Sequence, residues 1–152
     1  MDYTDWDFKF AKLILHEMEI RKEIEDILKA IDVRLGRKVR PSPSKTIQKI
    51  FAENGWQTEY PVIEKSSHLR FDLYKNKVAI EIQLTDPADC YNDYLKFLLA
   101  YNLERIEAGI EIVYDQTVEG KNLPKLGKVK TDLDIYRRII PCPIWVVGLK
   151  AK

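Results

Sequence analysis

The segment RFDLYKNKVAIEIQ, residues 70–83, predicts a β-hairpin that organises the rest of the fold. Two runs rich in apolar residues, 69–74 and 77–84, meet at the dipeptide Lys75-Asn76. Asparagine tolerates the positive φ of a tight hairpin turn, so we expect the chain to reverse direction there. The segment therefore supplies two neighbouring antiparallel strands of a sheet.

Alternation along the two strands separates an apolar face from a polar face. A turn at residues 75 and 76 gives the pairs Leu73–Val78, Asp72–Ala79 and Phe71–Ile80. Because successive side chains of a strand point to opposite faces, the predicted core stripe is Phe71, Leu73, Val78, Ile80, Ile82 and Leu84. The polar face then carries His68, Arg70, Asp72, Ala79, Glu81 and Gln83.

Two carboxylates on the polar face suggest a site for a divalent cation. This register makes Asp72 and Glu81 diagonal neighbours, about 7–8 Å apart at the backbone. Carboxylates at that separation can share one cation, and Mg²⁺ prefers oxygen ligands. The plainer interpretation is the solvated face of an amphipathic hairpin. The two carboxylates repel each other, and Arg70 is the one Lys or Arg on that face that could offset the repulsion. This favours the cation site.

Helices and a further extended segment are predicted before the hairpin. From Phe10 to Ile31, apolar residues recur at three- and four-residue steps, which predicts one amphipathic helix over 5–31 or two in close succession. Ser44 is typical of a helix cap, so we predict another helix through residues 45–54 that ends at Gly55. Residues 56–63 are predicted to be extended.

Alternating helices and strands are predicted after the hairpin. Asp86 and Pro87 are a cap and a first helical residue, and Gly109 ends that helix. Then follow a strand at 110–114, a loop over 115–130, a brief helix over 132–139 and a buried strand over 143–149. This order predicts an α/β fold, with a mixed central sheet flanked by helices in a single domain, residues 1–152.

Composition limits the classes of function that the chain can have. Its net charge of +1 gives no global basic signal, so any nucleic-acid surface must be local. Cys90 and Cys142 have neither zinc-site spacing nor a disulfide framework, which indicates reduced thiols. No apolar run is long enough to span a bilayer. We therefore expect a cytoplasmic protein without a membrane partner.

The polar face of the hairpin resembles the active site of the PD-(D/E)XK nucleases. In that superfamily an Asp on one strand precedes a Glu-x-Lys on the next, and here Asp72 precedes Glu81-Ile82-Gln83. Glutamine in place of lysine resembles the BglII-like restriction endonucleases, within the wider group that includes BamHI. The resemblance covers residues 55–62, the hairpin, residues 92–109 and 110–114, and weakly 142–149.

The resemblance implies a type II restriction endonuclease that hydrolyses DNA at a short palindromic site with Mg²⁺. Asp72, Glu81 and the backbone carbonyl of Ile82 would hold the metal. Gln83 can orient the attacking water by hydrogen bonding, although a neutral amide cannot act as a base. The family also uses an upstream polar or acidic residue, for which Glu53 is our first choice and Glu59 the alternative.

Two cationic segments are candidate contacts to DNA phosphates, because lysine and arginine bind the backbone without reading its sequence. They comprise Arg34, Arg37, Lys38, Arg40 and Lys45 in the first, and Lys121, Lys125, Lys128 and Lys130 in the second. Since one chain carries one site and a duplex break needs two cuts, we expect a homodimer on double-stranded DNA. Tyr91, Tyr94 and Tyr101 are candidates for core or dimer contacts, with the core favoured for the first two.

Two other functions fit the same residues. A structure-specific nuclease, such as a junction resolvase or a repair enzyme, would keep the catalytic residues but require branched or damaged DNA. A non-catalytic DNA-binding module on the same fold would bind duplex without Mg²⁺-dependent cleavage. The blandest alternative is a globular protein without any nucleic-acid role.

Overall fold

A mixed sheet of six strands forms the centre of the chain, in a computed structural model that describes residues 1–36, 38–65 and 68–151. The strands are β1 (Tyr3–Phe8), β2 (Gln57–Pro61), β3 (Arg70–Lys75), β4 (Val78–Ile82), β5 (Ala108–Tyr114) and β6 (Ile144–Leu149). Their order is β1-β6-β5-β4-β3-β2, with β4, β5 and β6 parallel and the other pairs antiparallel. The predicted mixed α/β sheet is therefore confirmed.

Helices cover both faces of this sheet. The helices are α1 (Ala11–Glu17), α2 (Arg21–Ala30), α3 (Pro43–Glu53), α4 (Cys90–Asn102) and α5 (Leu126–Ile135). One core lies between the sheet and α1–α3, and the other lies between the sheet and α4–α5. Every residue of β4, β5 and β6 is buried, which explains why the parallel strands read as nearly continuous apolar runs.

The hairpin turn lies one residue later than predicted, at Asn76 and Lys77. Both residues have positive φ, 47° and 62°, as a two-residue hairpin turn of the primed type requires. The observed pairs are Leu73–Ile80, Tyr74–Ala79 and Lys75–Val78. The register is thus shifted by two residues from the prediction, and a shift of two leaves the predicted faces of β4 unchanged. If the same register continued, Asp72 would lie opposite Glu81 rather than diagonal to it.

The predicted core stripe is correct except for Phe71. Leu73, Val78, Ile80, Ile82 and Leu84 pack on the α1–α3 side, whereas Phe71 packs on the α4 side, its ring 5.8 Å from that of Phe97. Alternation along β3 breaks at Asp72, whose side chain accepts the hydrogen bond from the backbone of Ile82. Because of this break, Phe71 and Leu73 face opposite sides of the sheet.

The N-terminal segment contains a strand that the helical pattern concealed. Residues 3–8 form β1 and pair with β6 from Tyr3–Leu149 to Phe8–Ile144, so the prediction of helix from residue 5 is wrong. Lys9 and Phe10 then have positive φ, which separates β1 from α1. Glu19, with φ 59°, separates α1 from α2, so the two-helix alternative is confirmed for the remainder.

Three helix boundaries differ from prediction. Ser42 rather than Ser44 precedes α3, because Pro43 takes the first helical position. Helix α4 ends at Asn102, and Gly109 lies instead in β5, where a Cβ atom would come within 2.7 Å of the Phe97 ring. Helix α5 begins at Leu126, inside the predicted loop, because Val129 and Leu133 bury one face of it.

The structure also bears on the predictions made for the two cysteines and for membrane-spanning segments. Both cysteines are free and buried. Among the residues that the structure describes, no helix has the length and apolar character needed to cross a bilayer.

Candidate active site

Asp72 lies where β3 departs from regular pairing, half-buried beside β4. Its Oδ2 atom accepts a hydrogen bond of 2.7 Å from the backbone N–H of Ile82. This bond places the Asp72 carboxyl beside the residue that follows Glu81, and the two carboxyls interact electrostatically. Burial raises the pKa of Asp72, while the Ile82 N–H and the charge of Lys96 oppose that rise. The hairpin thus brings the two predicted acids together.

Glu81 is buried beneath α4, with 3% of the residue exposed. Burial raises the pKa of Glu81 well above its ordinary value, and the carboxylates of Asp93 and Asp72 raise it further. The solvated-face interpretation is therefore wrong, because α4 covers the polar face of the hairpin. The side-chain alternation placed both acids on one face correctly, but α4 buries Ala79 and Glu81 on that face, whereas Arg70 is exposed.

Three charged residues that were not predicted from the sequence surround Glu81. Lys96 on α4 places its Nζ atom 2.6 Å from Glu81 Oε1, at ion-pair distance but without hydrogen-bond geometry, and 3.0 Å from Asp93 Oδ1. Glu111 on β5 is the register partner of Glu81. The available signal was the i, i+3 spacing of Asp93 and Lys96, on a helix whose buried positions are otherwise apolar or aromatic.

Gln83 follows the end of β4 and holds the turn that leads into α4. Its Nε2 atom donates to Asp93 Oδ2 at 3.3 Å. Its Oε1 atom accepts from the hydroxyl of Thr85 at 2.7 Å and from the backbone N–H groups of Thr85 and Asp86 at 3.3 Å. The amide is thus fixed beside the acids by four hydrogen bonds.

Helix α3 reaches the opposite side of Asp72 through Gln48. The Gln48 amide donates to the backbone carbonyl of Asp72 and to Glu59 Oε1, both at 2.9 Å. The charge of Glu59 also raises the pKa of Asp72, after the larger effect of burial. Glu53, our first choice for the upstream acid, is exposed and lies 3.9 Å from Lys49. Geometry therefore associates Glu59 with the site more closely than Glu53.

The chemistry of these groups fits a divalent cation between Asp72 and Glu81. Two neighbouring carboxyls, one of them deeply buried, repel each other when both are ionised, and a cation relieves that repulsion. The described residues contain no cluster of three His, Cys, Asp or Glu side chains with metal-binding geometry.

Comparison with known proteins assigns the chain to a family. The family model described as restriction endonuclease BglII/BglIII matches residues 3–149. The chain belongs to the BglII/BglIII restriction endonuclease family. The predicted resemblance to PD-(D/E)XK nucleases is confirmed, as is the predicted activity class, a type II restriction endonuclease and thus a site-specific DNA endonuclease. Neither alternative function is favoured by these findings.

Solved structures of BglII share the fold of this member of the BglII/BglIII family. The crystal structure of BglII complexed with a DNA 16-mer matches with a TM-score of 0.83 and 16% identity, covering 100% of this chain and 78% of that chain. The crystal structure of free BglII matches with a TM-score of 0.73 and 18% identity, covering 98% and 79%. No curated protein matches the chain by sequence. At 16% and 18% sequence identity, these structural matches are evidence for the fold alone.

The two cationic segments occupy different places in this BglII/BglIII family fold. Arg34, Lys38, Arg40 and Lys45 are exposed, and Arg37 lies outside the described residues. Lys121 is exposed, but Lys125 immediately precedes α5, and Lys128 and Lys130 lie on that helix. Lys128 is paired with Asp132 and lies 4.2 Å from the centre of the Tyr91 ring. The second segment is therefore partly neutralised by internal contacts.

Removing the buried carboxyl of Glu111 should stabilise the protein. Glu111 is fully buried, and among the described side chains neither of its oxygens has a hydrogen-bond partner. Burial raises its pKa well above the ordinary value, with Asp93 and Glu81 adding to the rise. We expect Glu111→Met to increase the free energy of unfolding by about 1–3 kcal/mol at neutral pH. Denaturant titration in EDTA measures this difference.

The advantage of the Glu111→Met variant should depend on pH. A carboxyl whose folded pKa is raised contributes stability below its unfolded pKa, and that stability is lost as pH rises through the folded value. The difference between variant and parent should therefore grow from acid toward alkaline pH. Glu53→Met on the exposed face of α3 is the control, and we expect a change within about 0.5 kcal/mol. A destabilised Glu111→Met variant at neutral pH would show that the carboxyl is satisfied.

Proposed function

We propose that this chain cleaves double-stranded DNA at a short palindromic site in a Mg²⁺-dependent reaction, with Asp72 and Glu81 as the metal-binding pair. The observation that carries the proposal is the hydrogen bond from the Ile82 N–H to Asp72, which places the Asp72 carboxyl beside the buried Glu81 at the hairpin. The family supplies the reaction class, and the DNA complex of BglII is a structure that this chain resembles. Both support duplex DNA as the substrate.

Each residue of the site has a distinct part in this proposal. Asp72, Glu81 and the backbone carbonyl of Ile82 would hold the metal, which when bound polarises the scissile phosphate and lowers the pKa of a coordinated water. The Ile82 N–H fixes Asp72 through Oδ2, at 2.7 Å. Gln48 fixes the backbone of Asp72 from the other side and holds Glu59. Glu59 is our proposed upstream acid, and Glu53 remains a prediction from the sequence.

Gln83 orients groups rather than transferring a proton. A neutral amide donates and accepts hydrogen bonds but is not a base at neutral pH. It already spans Asp93 and the turn before α4, so its loss should loosen the site. We expect Gln83→Ala to lower the single-turnover rate about 10–100-fold with little change in DNA affinity. Rapid-quench assays at saturating duplex measure this rate, and the parent rate in Gln83→Ala would exclude a role for the amide.

The exposed cations before and within α3 form the first proposed set of phosphate contacts. Lys45 lies three residues before Gln48, and Gln48 contacts Asp72, so this end of α3 adjoins the hairpin. Arg34, Arg37, Lys38 and Arg40 precede it, and Lys121, Lys125, Lys128 and Lys130 form the second proposed set. Lysine and arginine at phosphates release counterions and give affinity without sequence specificity.

Salt should weaken DNA binding steeply, and less so once two of these cations are removed. We expect Lys38→Gln with Arg40→Gln to reduce the slope of log affinity against log salt by about 2. The matched control is Lys22→Gln with Lys29→Gln on α2, which should leave the slope unchanged. Fluorescence anisotropy of a labelled duplex in EDTA gives both slopes. Equal slopes for the parent and the Lys38/Arg40 variant would remove these residues from the phosphate contacts.

The proposed homodimer uses an apolar patch on α4 and the residues at and after the end of α5. This α4–α5 patch comprises Tyr91, Leu95, Leu98, Tyr136 and Ile139. Leu95 and Ile139 expose 61% and 63% of their surface. Tyr94 is buried, as predicted, but Tyr91 is 40% exposed, so the prediction that Tyr91 belongs to the core is wrong. A second copy of the chain is the occupant we propose, because two cuts in one duplex require two hairpin sites.

Digestion of phage DNA tests the proposed function. With Mg²⁺, a site-specific endonuclease releases discrete fragments whose ends share one sequence, and EDTA abolishes the reaction. Sequencing those ends gives the recognition site and the stagger of the two cuts. Cleavage confined to branched DNA would instead indicate a resolvase, and binding without cleavage would indicate a non-catalytic module.

A further inference from the structure

The Glu-x-Gln pattern leaves the strand without the lysine that other PD-(D/E)XK nucleases carry beside the metal-binding Glu. Gln83 is neutral, and its amide is engaged by Asp93 and by the Thr85–Asp86 turn. Four acids nevertheless gather here: Asp72, Glu81, Asp93 and Glu111. Such a group needs a positive charge, since like charges in a buried place destabilise one another.

Lys96 supplies a positive charge to all four of these acids. Its charge lowers the pKa of Asp72, Glu81, Asp93 and Glu111, each of which burial raises. For Lys96 itself, burial lowers the pKa, but the charges of Glu81 and Asp93 outweigh burial and raise the pKa above its ordinary value.

The position of Lys96 is fixed by three contacts. Its Nζ atom lies 2.6 Å from Glu81 Oε1 and 3.0 Å from Asp93 Oδ1, and it donates to the backbone carbonyl of Arg70 at 3.3 Å. Its side chain is only 15% exposed, unlike that of a solvated surface lysine. A chain of polar contacts thus connects Gln83, Asp93, Lys96 and Glu81.

We propose that Lys96, presented by α4, is the positioning residue that performs the electrostatic task of the absent strand lysine. Its ammonium, 2.6 Å from Glu81 Oε1, orients the Glu81 carboxylate toward the metal position, while Gln83 supports Lys96 through Asp93. This proposal rests on the proposed function of Asp72 and Glu81 as metal ligands. It differs from that function in assigning the cationic element to a helix 15 residues beyond Glu81.

Two substitutions test the proposal: Lys96→Met removes the charge and Lys96→Arg retains it. Each variant is compared with the parent by two independent measurements. The first is the thermal midpoint in EDTA and in Ca²⁺, and the second is the single-turnover cleavage rate in Mg²⁺ at saturating duplex. In Lys96→Met a divalent cation becomes the remaining counter-charge. We therefore expect a lower midpoint than the parent in EDTA, a larger rise on adding Ca²⁺, and a cleavage rate lower by about 10–100-fold.

Lys96→Arg retains the charge and should recover both the midpoint in EDTA and most of the cleavage rate. Lys75→Met is the matched control, because Lys75 is also partly buried and ion-paired, at 2.9 Å from Glu23 on α2. It should lower the midpoint without changing the Ca²⁺ response or the rate.

Three results would overturn the role of Lys96. They are a Lys96→Met rate within about threefold of the parent, a Ca²⁺ response equal to that of the parent, and an Arg variant no better than the Met variant. If the parent protein itself cleaves no duplex, the proposed function fails. The Ca²⁺ response of Lys96→Met against the parent would then still decide whether Lys96 compensates the acids.

Discussion

Asp72→Asn should lower the single-turnover rate of DNA cleavage by about a thousandfold or more, equivalent to ~4 kcal/mol of transition-state stabilisation. The amide oxygen can still accept the 2.7 Å hydrogen bond from the Ile82 N–H, so the hairpin should remain intact. What the variant loses is one of two anionic ligands for the metal. Glu81→Gln removes the other ligand and should have an effect of the same size. Rapid-quench assays at saturating Mg²⁺ and duplex measure both rates.

Affinity for DNA should separate this catalytic effect from a loss of binding. Both variants remove a negative charge close to the proposed phosphate position, so their affinity in EDTA should equal or exceed that of the parent. The control is Asp26→Asn on α2, an exposed acid paired with Lys22 at 2.9 Å, which should cleave at the parent rate. Rates within about tenfold of the parent in both site variants would contradict the assignment of Asp72 and Glu81.

Ile139→Glu should convert the protein to a monomer and abolish double-strand cleavage. Ile139 is 63% exposed within the α4–α5 patch, so the change should not disturb the folded monomer. At a two-fold interface the substitution buries two carboxylates against apolar side chains, and unpaired buried charges are costly. We expect the dimer dissociation constant to rise at least about a hundredfold. Light scattering after size-exclusion chromatography and plasmid linearisation measure the two effects.

Leu13→Glu provides the matched control for the dimer interface. Leu13 is 55% exposed on α1, which covers the opposite face of the sheet. This variant should remain dimeric and active if the α4–α5 patch is the interface. A monomeric Leu13→Glu variant, or a dimeric and fully active Ile139→Glu variant, would place the interface elsewhere.

The sequence predicted that Asp72 and Glu81 share one face of the hairpin. This prediction tolerates an error of two residues in the pairing, because side chains two residues apart point to the same face. The turn was displaced by one residue, yet a shift of two residues in pairing left Asp72 and Glu81 on the same face. The same reasoning failed for Phe71, because the Asp72 side chain interrupts the pairing and reverses the alternation. Local propensity carries no signal for such an interruption.

The environment of the acids could not be predicted from the sequence. Alternation indicates which residues share a face but not what covers that face, and here α4 buries Glu81 and adds Asp93 and Lys96. Likewise β1 was hidden, since Tyr3–Phe8 form a strand only by pairing with β6, more than a hundred residues away. In both places the structure is determined by contacts between residues far apart in the sequence, which the local sequence pattern does not indicate.

Crystals of the protein with a duplex and Mn²⁺ would show whether Asp72 and Glu81 bind the metal. Anomalous scattering locates the metal independently of the fitted side chains. We expect one strong anomalous peak bonded to a carboxylate oxygen of Asp72 and to one of Glu81, with Lys96 still beside Glu81. A peak at another group of residues, with Asp72 and Glu81 turned away from it, would show that these two acids are not the metal ligands.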